Sequence, residues 1–392
     1  MVEAVPTYEC LRAAGSDPDV MHDRRLLVGG CGNAGSNATP TLSVLGIEAA
    51  YVDPDRVEPK NLAHSPFLDA TPLPDGSRPF KAELLAKAHV AHSRRPDQVA
   101  HWAALPLQAI PWGVIRRFDG LLVGIDDGSS RAWAARVAAT LSIPTIVAGF
   151  FPPTGHFVAA SNRDPGEPCY FCMRPHESPT RASCSLYSDP TGGVNPALQT
   201  VAAAVMNVAI EAMTRFWHND LRFDARVFRL DLGDGSAGLT GFRRHPDCPA
   251  PHERLPTVQP APFGPDAPAQ TVLDLARQDG LRTPVLELPS RYVVSLPCRA
   301  CGRGVQIEQP EWMLRTAPFC AEGCAKGGGA ASAHAEQSIG LGSELSTRSL
   351  RSLGIGPLGL CIVEDAESDE LRVYELPGSM SAVLQRVVRG DR

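Results

Sequence analysis

Two groups of residues in this chain of 392 are equipped for chemistry: a glycine turn followed by a carboxylate, and a set of closely spaced cysteines. Arg25 leads the apolar run Leu26, Leu27 and Val28, and Gly30, Gly32 and Gly35 follow in the pattern G-x-G-x-x-G. Glycine suits these positions because the backbone turns tightly, approaches a phosphate without Cβ interference and lets the next helix pack close to the strand. That helix offers its first N–H groups to an anion. A second apolar segment, 49–52, ends at Asp53, at the spacing where a carboxylate holds ribose hydroxyls. By itself the pattern fits a dinucleotide oxidoreductase, a methyltransferase or an adenylating enzyme equally.

Eleven cysteines are unexpected as disulfides in a reducing compartment, and their grouping points to metal. Cys169/Cys172, Cys298/Cys301 and Cys320/Cys324 are close pairs. Cys298-x2-Cys301-x18-Cys320-x3-Cys324 has the spacing of a zinc ribbon, four thiolates around one ion. Cys10, Cys31 and Cys361 read as small buried residues, although Cys31 lies inside the glycine turn.

The glycine turn runs on into Asp53-Pro54-Asp55-Arg56-Val57-Glu58-Pro59-Lys60-Asn61-Leu62. A glycine turn followed by D-x-D-x-V-x-x-x-N-L resembles the ThiF/MoeB/HesA family, bacterial relatives of the ubiquitin-activating enzymes. The resemblance spans residues 20–252. It implies ATP-dependent adenylation of the C-terminal carboxylate of a small ubiquitin-like or sulfur-carrier protein, or of a peptide, with pyrophosphate leaving and Mg2+ assisting. Matched residue by residue, Asp53 is then the ribose ligand, Asp55 and Asn61 sit beside the phosphates, and Lys81 neutralises phosphate charge. Asp126 matches the strand-end aspartate expected to hold magnesium, with Arg131 as its motif's arginine. His64 stands where the family carries an arginine, and Asp127 replaces the third residue of T-D-N.

In the same family, Glu167-Pro168-Cys169-Tyr170-Phe171-Cys172 matches a G-P-C-x-x-C zinc pair, and Cys248 with His252 stands in for the second C-x-x-C. Three thiolates and one imidazole still satisfy tetrahedral zinc; His245 is the competing ligand. A second zinc is expected at the ribbon. Cys184, ahead of Gly192-Gly193, is either an acyl-accepting nucleophile on a crossover loop or a bland cysteine.

The elements that must carry these groups follow from periodicity. Strands are expected at 26–28, 49–52, 121–125, 143–151, 156–161, 225–232 and 239–244, and helices after the glycine turn, over 80–92, through 139 and over 196–216. Strands alternating with helices predict an α/β fold: a Rossmann-like, mostly parallel sheet with flanking helices, plus a small zinc-stapled α+β domain. The predicted layout is an adenylation domain over 1–252, a linker over 253–269 within a stretch bearing seven prolines between 249 and 268, and a zinc-ribbon domain over 270–392. The end of the chain, 359–364 and 371–375, predicts a hairpin. A helix over 271–278, strands near 285–288 and 292–296 and a cysteine-rich loop are expected in the second domain, residues 326–335 as a flexible loop, and the apolar helix 196–216 as part of a homodimer interface.

A net charge of −6 gives no reason to expect nucleic acid as partner. The N-terminus lacks the basic flank and apolar core of a signal peptide, and 196–213 is interrupted by Gln199, Asn207 and Glu211, so a cytoplasmic protein with no membrane span is expected. Two rival readings stay open: a nicotinamide-dependent oxidoreductase, and a degenerate adenylating fold that binds a partner without turnover.

Overall fold

The computed structural model describes residues 17–151, 153–173, 196–248, 254–298, 303–314 and 333–389, together with Arg12, Ala250, His252 and Cys301. They form two compact units. The first takes the chain up to Leu107, then Arg116–Arg254 and the stretch from Val383 onward; the second takes Gln108–Ile115 and Leu255–Ala382.

In the first unit, β1 (Arg25–Gly29), β2 (Glu48–Val52), β3 (Val99–Ala103), β4 (Gly120–Val123) and β5 (Thr145–Phe151) lie parallel in the order β3-β2-β1-β4-β5. β6 (Thr154–Ala160), β7 (Arg226–Asp231) and β8 (Ser236–Gly241) extend the sheet as antiparallel hairpins. β1, β2 and β4 are short apolar runs because both faces of a parallel sheet are covered. The helices Asn33–Leu45, Lys81–His92 and Gly128–Thr140 make the crossovers. The mixed α/β class and the parallel start are thus as the periodicity predicts.

The long helix Pro196–Trp217 lays Val201, Val205, Met206, Ala209, Ile210, Met213 and Phe216 into the core beside Leu26, Val28, Ile146 and Phe157. The apolar face expected at a subunit interface is therefore covered within the chain. Of its described side chains, the helix leaves Thr200, Ala204 and Asn207 exposed.

The second unit holds β9 (Val258–Pro260), the helix Ala269–Gln278, β10 (Pro284–Pro297), β11 (Gly304–Pro310), β12 (His334–Gly340), β13 (Leu360–Asp365) and β14 (Leu371–Glu375). The order is β11-β10-β13-β14-β9, with β12 also on β10. The expected hairpin is β13–β14. Three features differ from the sequence reading. The proline-rich stretch read as a linker contains β9, paired parallel to β14 at the sheet edge, where a strand tolerates proline. The two strands expected at 285–288 and 292–296 are one strand whose register shifts across the Pro289 region. β11 forms within the expected cysteine-rich loop, and β12 begins at the end of the segment expected as a flexible loop.

The last strand, β15 (Gln385–Val388), was expected in the C-terminal domain; it pairs antiparallel with β3 and completes the first sheet at nine strands. No helix among the described residues is long and apolar enough to cross a membrane.

Candidate functional site

The glycine turn is held by the ends of three strands. Gly30 donates to Val52 O at 2.9 Å, and Gly124, just past β4, donates to Gly29 O at 2.8 Å. Gly30 adopts φ +92°, which favours glycine, and a Cβ there would lie 2.8 Å from the Gly124 carbonyl. At Gly35 a Cβ would lie 2.5 Å from Gly30 O. At Gly32 it would meet nothing within 4 Å, so the open space in front of the turn borders that residue. Gly32 is also the N-cap of Asn33–Leu45, which has no side-chain cap and no acidic residue in its first turn. Its leading N–H groups and positive dipole end suit an anion.

Asp53 fixes this turn. One carboxylate oxygen accepts from Cys31 N at 2.6 Å and the other from Asp55 N at 2.8 Å. Burial pushes the Asp53 pKa up, against the pull of the Lys81 charge and the two amides. Lys81, the first residue of its helix, is 9% exposed, and its Nζ lies 2.9 Å from Asp55 Oδ2. Burial works against the ammonium, but the charge of Asp53 and the hydrogen bond to Asp55 outweigh it, and the Lys81 pKa is raised. Asp53, Asp55 and Lys81 thus form one group beside the turn. Cys31 is fully buried and its thiol is pushed up by burial and by Asp53, so it serves through its amide.

Asn61 is buried in the 3-10 turn Pro59–His64, where its Oδ1 accepts from Glu58 N at 2.8 Å; half of its side-chain chemistry is used to build that turn. Asp126 is exposed three residues past β4, at the carboxyl edge of the sheet. Asp127 caps the following helix, accepting from Ser130 N at 2.7 Å, so the capping role falls to Asp127 and not to Asp126. Burial works against the Asp127 charge, but hydrogen bonds from Ser130 and Ser129 outweigh it and lower its pKa. Arg131 donates from Nη2 to Asp126 O at 3.3 Å.

Two contributors escaped the sequence reading. Gly124 lets the end of β4 approach the turn, since a Cβ there would overlap the Ala34 methyl; a lone glycine closing an apolar strand was the available signal. Asn37 and Gln199 form a paired amide contact, Gln199 Nε2 to Asn37 Oδ1 being 3.0 Å, which ties the glycine-turn helix to the long helix. Nothing in the sequence signals that pair. Cys184 lies outside the described residues.

A second cluster lies elsewhere in the unit. Cys169 and Cys172, in the single helical turn Tyr170–Met173 and just before it, meet Cys248 and His252, their four ligand atoms all within 4.8 Å of one another. Cys169 Sγ is 4.0 Å from Cys172 Sγ and 3.5 Å from Cys248 Sγ, and His252 Nε2 is 3.4 Å from Cys172 Sγ. Tetrahedral zinc with bonds of about 2.3 Å spaces its sulfurs about 3.8 Å apart, so the donors fit. Burial and the neighbouring thiols push the Cys169 pKa up, and burial lowers that of His252, followed by the charge of Arg244. An imidazole kept neutral is the form that ligates. His245, the competing candidate, instead accepts from Asp247 N at 3.1 Å. Of the ribbon residues, Cys298 and Cys301 are described, with Cys298 N donating to Arg303 O at 2.9 Å; Cys320 and Cys324 lie outside the described residues.

Among solved structures, the chain is similar to E. coli MccB with MccA-N7isoASN at TM-score 0.48 and 14% identity, over 60% of this chain and 69% of that one. E. coli MccB with ATP gives TM-score 0.47 and 15% identity, over 59% and 68%. PaaA gives 0.42 and 14%, over 58% and 67%. No curated protein matches the sequence. The ThiF family model matches residues 13–250, more than half of the sequence and all of both clusters except His252. The chain belongs to the ThiF family.

Proposed function

We propose that the chain is an ATP-dependent adenylating enzyme acting on the C-terminal carboxylate of a small ubiquitin-like or sulfur-carrier protein, or of a peptide. The observation that carries this reading is the buried Lys81 ammonium in the same group as Asp53 and Asp55, beside a glycine turn whose helix has no side-chain cap. A fixed cation and preorganised N–H groups stabilise charge developing on phosphate better than water does. In the reaction, a carboxylate oxygen of the carrier bonds to the α-phosphorus of ATP while the bond from that phosphorus to the β-bridging oxygen breaks. The electron pair leaves with pyrophosphate.

In this reading Asp53 and the glycine turn orient ribose and phosphates, Lys81 neutralises charge, and Arg131 supports the loop bearing Asp126. Asp126 is the residue assigned to hold Mg2+, which neutralises phosphate charge when bound. Cys169, Cys172, Cys248 and His252 are assigned a structural zinc with no open position. Cys184 is assigned as the acceptor of the activated acyl group, and the enzyme as a cytoplasmic homodimer. ThiF family membership favours ATP over a nicotinamide as the nucleotide.

ATP–pyrophosphate exchange with carriers ending in Gly-Gly tests the reading. Carrier-dependent exchange is expected, reduced about 10²–10³-fold in Lys81→Ala and lost in Asp126→Ala. Exchange at the unmodified rate in Lys81→Ala would overturn the role of the lysine. A thiol-sensitive carrier adduct that persists in Cys184→Ala removes Cys184 as acceptor.

A further inference from the structure

An open cavity of about 570 Å³ lies at the margin of the first sheet, lined by Asp224, Arg226, Gly241, Phe242, Arg243 and Arg244 among others. Its place is set by register. Thr145, which opens β5, pairs with Ala160, and Arg226 pairs with Ala159, so the cavity sits where the parallel strands begin. The glycine turn sits where they end. The two are therefore on opposite margins of the sheet, and the cavity is separate from the nucleotide site.

Three exposed arginines, Arg226, Arg243 and Arg244, are among the lining residues, and they make no ion pair among the described residues. Nearby arginines behave differently: Arg222, in the turn before β7, is paired with Asp220, and Arg229, on β7, with Asp231. The one carboxylate in the wall, Asp224, accepts from Ser161 N at 2.6 Å and so is already engaged. Gly241, opposite Arg226 in the β7–β8 ladder, leaves room for the Arg226 guanidinium: a Cβ there would lie 2.9 Å from its Nη1. Phe242 supplies an apolar wall, packed against the cysteine cluster.

Three exposed arginines without an acidic partner give this concavity a local positive charge in a chain whose net charge is −6. A concavity lined by one sign of charge concentrates counter-charge, and guanidinium forks match phosphate oxygens two at a time. The volume is that of a small-molecule site, about 300–1,000 Å³. We infer that this cavity is a binding site for a small molecule bearing a di- or triphosphate group, separate from the ATP assigned to the glycine turn. The inference does not depend on the adenylation reading.

Inorganic tripolyphosphate is the probe. The intact protein is treated with phenylglyoxal, with and without tripolyphosphate, and arginine modification is read by mass spectrometry. Protection of at least tenfold at Arg226, Arg243 and Arg244, with Arg222 and Arg229 unchanged, is the expected result. Equal modification of the three with and without the probe overturns the site. Protection by hexaglutamate but not by tripolyphosphate overturns the phosphate assignment in favour of an acidic peptide. Calorimetric titration of R226Q/R243Q/R244Q is expected to show one tripolyphosphate site fewer than the unmodified chain. Retention of every site overturns the inference.

Discussion

His89 is fully buried, with Nδ1 2.9 Å from the Tyr51 hydroxyl, and burial holds its pKa down to about 4. The unfolded chain takes up a proton near pH 6.5 that the folded chain refuses until about pH 4. Stability is therefore full above pH 6.5 and is lost as pH falls across that window, by up to about 3 kcal/mol from this group. Urea midpoints measured from pH 7 to 4 are expected to fall, and the slope to flatten in His89→Gln; an unchanged slope would exclude His89 as the source. The glycines separate in the same way, by what surrounds each. Gly35→Ala drives a methyl against the Gly30 carbonyl and is expected to lower the melting temperature, whereas Gly32→Ala has room, folds normally and loses nucleotide affinity. Thermal melts with and without ATP distinguish the two outcomes. The place of Asp53 beside the turn was legible because its spacing is set by the βαβ unit itself, and that of Lys81 through the family resemblance. The use of Asn61 within its own turn was not, since a capping pair and a ligand look alike in sequence.

At the scale of elements, the helix Gly128–Thr140 depends on Asp127, whose carboxylate closes its first turn. Asp127→Ala is expected to cost about 1 kcal/mol, measured by chemical denaturation. The same variant removes an acid-sensitive contribution, since the lowered Asp127 pKa gives stability present above about pH 3.8 and lost as pH falls through the folded value. The crossover helices and the strands they connect were readable because glycine punctuation and period 3.6 coincide there. β3 was missed because Gln98, His101 and the Val-Ala-His-Trp-Ala sequence mix polar and apolar positions, and its burial is decided by neighbours on both sides. The prolines around Val258–Pro260 hid β9 by the same logic, since only the presence of β14 makes an edge strand of them. The long helix was read correctly as a helix, but which surface it covers is a tertiary fact: hydrophobicity alone does not tell a core face from a subunit face.

At the scale of the molecule, the Cys3His cluster joins segments some 80 residues apart and closes that loop once an ion is bound. Metal analysis of the full chain is expected to give two zinc ions, one at this cluster and one at the Cys298 region. Cys169→Ser is expected to lose one zinc and unfold at lower temperature, and His252→Cys to keep it; a single zinc in the unmodified chain contradicts the two-site assignment. The first unit, for its part, is not contiguous in sequence. Its last strand, β15, lies beyond the whole of the second unit, about 130 residues after Arg254. At synthesis rates of about 5–20 residues per second, β3, made some 280 residues earlier, waits roughly 14–56 s for its partner. During that interval its unpaired amides are a template for another chain. The sheet that carries the candidate site is thus finished by a strand made long after the rest of it, and replacing residues 385–388 by a glycine-serine run is expected to turn soluble protein into aggregate even though that strand holds none of the residues assigned to the chemistry.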